Sequence, residues 1–146
     1  MKISLACDHG GLDLKEAVRK HLEALGHEVA DFGTYTRDSC DYSDFAAPAA
    51  RAVANGDCQR GIVICTTGIG MSIAANKVKG IRCALLSDLM SARLTRQHND
   101  TNMMAMGQGV VGEKLALEIV DAWLTTEFEG GRHARRVGKV MDLENA

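Results

Sequence analysis

The stretch from Gly61 to Lys77 constrains this chain most. An apolar, β-branched run, Gly61-Ile62-Val63-Ile64-Cys65, passes through a small polar turn, Thr66-Thr67-Gly68-Ile69-Gly70, into a segment carrying Ile73, Ala74 and Ala75. The run reads as a buried strand and the segment beyond the turn as a packed helix. Where the carboxyl edge of such a strand meets a helix N-terminus, free backbone N–H groups point at one place, an arrangement suited to an anion. Cys65 sets a thiol beside that place.

The rest of the chain repeats the alternation. Strands are expected at Lys2 to Cys7, His27 to Phe32, Ile81 to Leu86 and Met103 to Met106. Leu14, Ala17, Val18, Leu22 and Leu25 recur at helical spacing ahead of Gly26, a C-cap residue. Phe45, Ala46, Ala49, Ala50 and Val53 form a second stripe, whose regular helix is expected to begin close to Pro48, because proline suits a first turn. Ser87-Asp88 supplies an N-cap for a short helix through Arg96, and Gln97 to Asn102 reads as a polar loop. Ala116, Ile119, Val120, Trp123 and Leu124 mark an amphipathic helix. The break at Glu129-Gly130-Gly131 precedes a last helix, Arg132 to roughly Leu143. This pattern implies a single domain over residues 1–146. Its class is α/β, a three-layer, doubly wound, five-stranded parallel sheet of Rossmann or flavodoxin-like type in the expected order 2-1-3-4-5, with an extra C-terminal helix that has no strand behind it.

Composition excludes several function classes. The net charge of -2 and the few aromatic residues argue against nucleic acid or an anionic membrane as partner, so any phosphate binding must be local. The apolar run before Asp8 is too short for a signal peptide and no later run could span a bilayer, so the expectation is a cytoplasmic protein. Five cysteines, at 7, 40, 58, 65 and 83, lack paired spacing, which argues against a disulfide framework or a zinc site. Cys7 and Cys83, inside apolar runs, read as buried small hydrophobes.

The candidates for chemistry follow from placement. Gly68-Ile69-Gly70 lacks the third glycine of a dinucleotide fingerprint, and Lys77 is too distant for a P-loop; a cofactor-free anion hole or a plain tight connection remains. Cys65 is a nucleophile, a carbon-acid base, a redox sensor or simple packing, with the helix N-terminus favouring thiolate. His9, after Asp8, and His98, before Asn99 and Asp100, occupy connections where sites on α/β folds collect, whereas His21 and His27 read as structural. A metal set of Cys7, Asp8, His9 and His98 lacks ligand spacing. Arg132 and Arg136, at i and i+4, share a helix face and can grip a phosphate; a solvated charged face is the alternative.

Together these motifs resemble a known family. Cys-Asp-His-Gly-Gly at 7 to 11, Asp41-Tyr42, Cys65 to Gly70 followed by Ser72 to Lys77, Gly80-Ile81-Arg82, Ser91-Ala92, Arg96 to Asn102 and Gly130-Gly131-Arg132-His133 are similar, in order, to the type B ribose-5-phosphate isomerases of the RpiB/LacAB sugar-phosphate isomerase family. The resemblance implies an aldose–ketose isomerase of the pentose phosphate pathway, acting on a small phosphorylated sugar without metal or organic cofactor. By the same resemblance Cys65 is the base moving a proton through a cis-enediolate, and Thr67 positions or protonates substrate oxygens. Thr66, Gly68, Ile69 and Gly70 offer backbone N–H groups, and His98, aided by Asp8, opens the furanose ring. Tyr42 and Asn99 line the sugar, and His9, Arg132 and Arg136 hold the phosphate. It further implies a homodimer or dimer of dimers with shared sites. Relatives acting on allose 6-phosphate, galactose 6-phosphate or tetrulose phosphates, and a non-catalytic sugar-phosphate-binding module, are the alternatives. The departure is Gly107-Gln108-Gly109, where the family usually carries an arginine third; Thr66, where many relatives have glycine, is a smaller one.

Overall fold

The computed structural model describes all 146 residues. Five strands, β1 (Lys2–Cys7), β2 (Glu28–Asp31), β3 (Arg60–Cys65), β4 (Cys83–Leu85) and β5 (Met103–Gly107), alternate with helices. These are α1 (Leu12–Ala24), α2 (Tyr42–Ala54), α3 (Ile69–Asn76), α4 (Leu89–Asn99), α5 (Glu113–Thr125) and α6 (Arg132–Asp142). All strand pairs are parallel.

Successive side chains of each strand point to opposite faces, and the core divides accordingly. Leu5, Ile62, Ile64, Met104 and Met106 pack beneath α1 and α5, where Val18, Leu22, Ile119 and Trp123 meet them. Ala6, Val63, Cys65 and Ala105 pack against α2 and α3 through Ala46, Ala49, Ala50, Met71 and Ala75. The alanine-rich second layer lets α2 lie close to the strands.

Three expectations are corrected. The strand order is β2-β1-β3-β5-β4, not 2-1-3-4-5. Met103 to Gly107 is buried at every position, whereas β4 has three residues and Leu85 stands 45 % exposed, so the longer, fully apolar strand takes the interior and the short one the edge. Helix α2 starts at Tyr42, with Pro48 inside it. Proline removes one helical hydrogen bond, but the buried stripe on both sides of Pro48 holds the helix to the sheet. Helix α4 runs on through His98 and Asn99 and ends at Asp100 in the left-handed region. There the Arg96 guanidinium folds inward to the Asp100 carboxylate (2.9 Å) and the Thr101 carbonyl (2.7 Å), fastening the turn.

The segment after β2 leads to the site and is anchored by a fully buried lysine. The Lys15 ammonium donates to both Asp31 carboxylate oxygens (2.9 and 3.1 Å) and to the Thr34 carbonyl (2.9 Å), 4.5 Å from the Tyr35 ring centroid. Helix α6 buries no residue; it packs chiefly along α4, and its Met141 sulfur accepts from the Arg82 guanidinium (3.3 Å).

Candidate active site

The sequence-predicted residues fall into two groups at opposite ends of the sheet. The first lies at the carboxyl ends of β1 and β3. Cys65 closes β3, 5 % exposed, and its sulfur accepts the Gly68 N–H at 3.1 Å. The Ile69 N–H is taken by the Thr67 hydroxyl oxygen (3.2 Å), which leaves the Thr67 O–H free to donate. The N–H groups of Thr66, Thr67 and Gly70 have no partner within the chain, so they are the donors of the Thr66–Gly70 turn left free for an anion. Gly68 has φ +79°, and a Cβ there would lie 2.7 Å from the Met106 carbonyl carbon; only glycine fits. A Cβ on Gly70 would lie 2.9 Å from the Tyr42 ring, so Gly70 lets the phenol rest on the start of α3.

The turn after β1 faces this hole. Asp8, 7 % exposed, accepts the Gly10 N–H (2.8 Å) and shapes a short 3-10 turn, His9–Gly11. His9 Nδ1 accepts the Cys40 N–H (3.2 Å), an assignment that puts the ring proton on Nε2. The Gly109 N–H donates to the Thr66 carbonyl (2.9 Å), so the loop after β5 meets this turn through its backbone, while its Gln108 side-chain oxygen accepts the Leu14 N–H at the start of α1 (2.9 Å).

The second group surrounds a cavity of about 760 Å³ between β4, α4 and α6, lined by His98, Asn99, His133 and Arg136 among others. The Asn99 side-chain oxygen accepts the Thr95 hydroxyl (3.1 Å), and the Arg82 guanidinium holds the Asn99 and Asp100 carbonyls (3.0 and 2.6 Å), fixing the end of α4. Arg132, Arg135 and Arg136 make no ion pair within the chain, so the i, i+4 pair is free for an anion.

The two groups do not meet within one chain. Met103 pairs with Gly61 and Gly107 with Cys65, and the four-residue rise between these rungs is about 13 Å. The connection after α4 lies at the amino end of the strands, not at the carboxyl edge with the β1 and β3 turns. His98 is therefore separated from Cys7, Asp8 and His9, and the four-residue metal set is not assembled.

Three residues escaped the sequence reading. His133 stacks on His98, with ring centroids 4.2 Å apart and planes 10° apart. Glu129 places a carboxylate oxygen 3.4 Å from His98 Nε2. Cys40 lies with its sulfur 3.7 Å from His9 Nδ1. Only the run Glu129-Gly130-Gly131-Arg132-His133 was a usable signal, since a double-glycine turn between helices brings its flanking residues onto a neighbour. Burial chiefly holds the His133 imidazolium below the ordinary histidine range; His98, Arg132 and Arg136 add to this and Glu129 opposes it. His98, Glu129 and His133 offer three ligand-type atoms within 4.8 Å of one another. The near-parallel rings send their in-plane lone pairs side by side and not toward one ion, so chelation would require a ring to turn. Cys7 is buried as expected, but Cys83, on the edge strand, is only half-buried; loss of solvent pushes both thiols up to about 12, which removes them as bases at neutral pH.

The family model described as Ribose/Galactose Isomerase matches residues 3–140. Ribose-5-phosphate isomerase B of Escherichia coli (strain K12) is 50 % identical over 143 residues, covering 98 % of this chain and 96 % of its own. The structure of Clostridium thermocellum ribose-5-phosphate isomerase B superposes with a TM-score of 0.98 at 54 % identity, covering 99 % of this chain and 98 % of its own. That of Mycoplasma genitalium ribose-5-phosphate isomerase B with bound ribulose-5-phosphate gives a TM-score of 0.95 at 41 % identity, with coverage of 99 % and 96 %.

Proposed function

The chain belongs to the ribose/galactose isomerase family, and on that footing we propose that it interconverts ribose 5-phosphate and ribulose 5-phosphate by proton transfer through a cis-enediolate. The observation that carries this reading is the Cys65 thiol at the end of β3, held by the Gly68 N–H and facing three unused N–H groups. In the open-chain aldose the carbonyl at C1 acidifies the hydrogen on C2. Cys65, as thiolate, takes that proton while the carbonyl π electrons move onto O1, forming the enediolate. The free N–H groups of Thr66, Thr67 and Gly70 stabilise the oxyanion, donors fixed in place before charge develops. The Cys65 S–H then returns the proton to C1 as O2 becomes the ketone, and the Thr67 hydroxyl moves a proton between the two oxygens.

Ring opening must come first, since the furanose has no carbonyl. His98 performs it, aided by Asp8, and the separation of these residues within one chain leads to a homodimer, or a dimer of dimers, in which one subunit's His98 and Asn99 complete the other's Cys65 site. In this assembly Tyr42 and Asn99 line the sugar, and His9, Arg132 and Arg136 hold the phosphate, so binding energy at the non-reacting end orients the reacting carbons. No metal or organic cofactor takes part. The enzyme acts in the cytoplasm, in the pentose phosphate pathway. No helix is long and apolar enough to cross a membrane.

A second substrate reading is favoured by Gly109, which lends the site only its backbone. A phosphate held without a guanidinium from this loop suits other sugar phosphates of the family, such as allose 6-phosphate, galactose 6-phosphate or a tetrulose phosphate. Pentose, hexose and tetrose phosphates assayed side by side, with and without chelator, decide between them. Ribose 5-phosphate is expected to give the highest kcat/KM, unaffected by chelator, and Cys65→Ala to abolish turnover. Near-wild-type activity in Cys65→Ala, or loss of turnover with chelator, would overturn the mechanism.

A further inference from the structure

The ring assigned to furanose opening is held on two sides. After α5 the chain runs back across the end of α4, where the Glu129 N–H donates to the Gln97 carbonyl at 3.1 Å. Gly130 and Gly131, at φ +67° and +57°, then reverse it into α6. This turn brings the Glu129 carboxylate to the edge of the His98 ring (3.4 Å from Nε2) and lays His133 flat on its face (4.2 Å). The Glu129 carboxylate has no other partner in the chain. The other charged groups lining the cavity are cationic, Arg82 just before β4 and Arg136 of α6, or engaged elsewhere. Asp100 is paired with Arg96 (2.9 Å), and Glu144 accepts the Gly80 N–H (2.8 Å). Glu129 is thus the acceptor within reach of His98.

We propose that Glu129 is a positioning residue for ring opening: its carboxylate accepts the Nε2–H of His98, sets that tautomer and leaves Nδ1 as the nitrogen that exchanges a proton with the sugar, while His133 stops the ring from rotating. Deprotonation of the anomeric hydroxyl and protonation of the ring oxygen balance, one proton leaving and one returning. A carboxylate fixing the tautomer of an acid–base histidine is a general device for aligning such transfers.

The proposal rests on the isomerase reading, and the chemistry of the two sugars separates them. Ribose 5-phosphate closes its ring through O4 and must be opened. Ribulose 5-phosphate cannot close a furanose, because O5 carries the phosphate, so solvent deuterium enters its C1 through the enediolate with no ring step. Two variants of the full chain, Glu129→Leu and Glu129→Gln, are compared with wild type in both reactions. The ring nitrogens of His98 are read by 15N NMR. Glu129→Leu is expected to lower kcat on ribose 5-phosphate about tenfold or more, leaving KM and deuterium exchange into ribulose 5-phosphate within about twofold. Glu129→Gln, whose amide oxygen can accept the same hydrogen bond, recovers most of the loss. His98 is the Nε2–H tautomer in wild type and Glu129→Gln, and a mixture in Glu129→Leu. Equal loss of both reactions in Glu129→Leu, full retention of ribose 5-phosphate turnover, or an Nδ1–H tautomer in wild type would overturn the proposal. A wild-type protein inactive in both reactions would instead overturn the isomerase reading, and the NMR tautomer alone would still decide the contact.

Discussion

Replacing Gly68 by alanine tests whether the turn geometry, and not merely the presence of Cys65, carries the activity. The new Cβ would meet Leu85 Cδ1 at 2.6 Å and the Met106 carbonyl carbon at 2.7 Å, on a residue with φ +79°. The leucine tip can swing away, but Met106 is backbone in a fully buried strand, so the turn must retreat about 0.7 Å to reach ordinary van der Waals contact. The left-handed conformation itself costs an alanine about 1–2 kcal/mol. Gly26→Ala isolates that cost, because Gly26 has φ +86° with nothing within 4 Å of its Cβ position. Retreat of the turn carries the Gly68 N–H away from the Cys65 sulfur and shifts the unused N–H groups of Thr67 and Gly70. A misplacement near 1 Å costs about 10²-fold in rate, so kcat on ribose 5-phosphate should fall about 10- to 100-fold. The assay pairs urea denaturation with turnover at saturating substrate. Gly26→Ala should lose only about 1–2 kcal/mol of stability and retain wild-type kcat. A Gly68→Ala enzyme that turns over as fast as Gly26→Ala would refute the geometric argument.

Other consequences concern stability and pH. Asp31→Ala leaves the buried Lys15 ammonium with only the Thr34 carbonyl (2.9 Å) and the half-exposed Glu16 carboxylate (3.5 Å) and should cost about 3–5 kcal/mol in urea denaturation, much of it regained when Lys15→Met is added; a loss under about 1 kcal/mol would show the pair to be solvated. His133 binds its proton less readily folded than unfolded, chiefly through burial and the neighbouring His98. The unfolded chain therefore holds more protons just below the ordinary histidine value of 6.5, and stability falls as pH drops through that region. Thermal midpoints measured between pH 7.5 and 5.5 should fall more steeply for wild type than for His133→Phe, a comparison that cancels the similar effect of His27. Equal slopes would remove His133 as a source of acid sensitivity.

Legibility in the sequence followed locality. The strand–turn–helix at Gly61–Lys77 was readable because all its determinants lie within one short segment, and the Asp8-His9 turn was readable for the same reason. Strand order was not, since β4 and β5 are both apolar and only their burial against the whole sheet separates edge from interior. The start of α2 was masked by Pro48, whose local effect was outweighed by packing of its alanine stripe. His98 and Asn99 looked like loop residues because their polarity hides a helical turn fastened by Arg96 of the same helix and, from outside it, by Arg82. Which end of the sheet they occupy follows only from the topology. The contact of Glu129 and His133 with His98 depends on α6 docking along α4, which no periodicity reports.

The shared site is most directly tested by mixing two inactive variants. Cys65→Ala and His98→Ala are each expected to be inactive as homodimers, one lacking the base and the other the ring-opening group at both sites. Refolded together in equal amounts, half the dimers are hybrids with one doubly defective site and one intact site, so about one quarter of wild-type activity should return. A mixture no more active than the sum of its parents, with hybrid formation verified by mass spectrometry, would contradict a site built from two subunits.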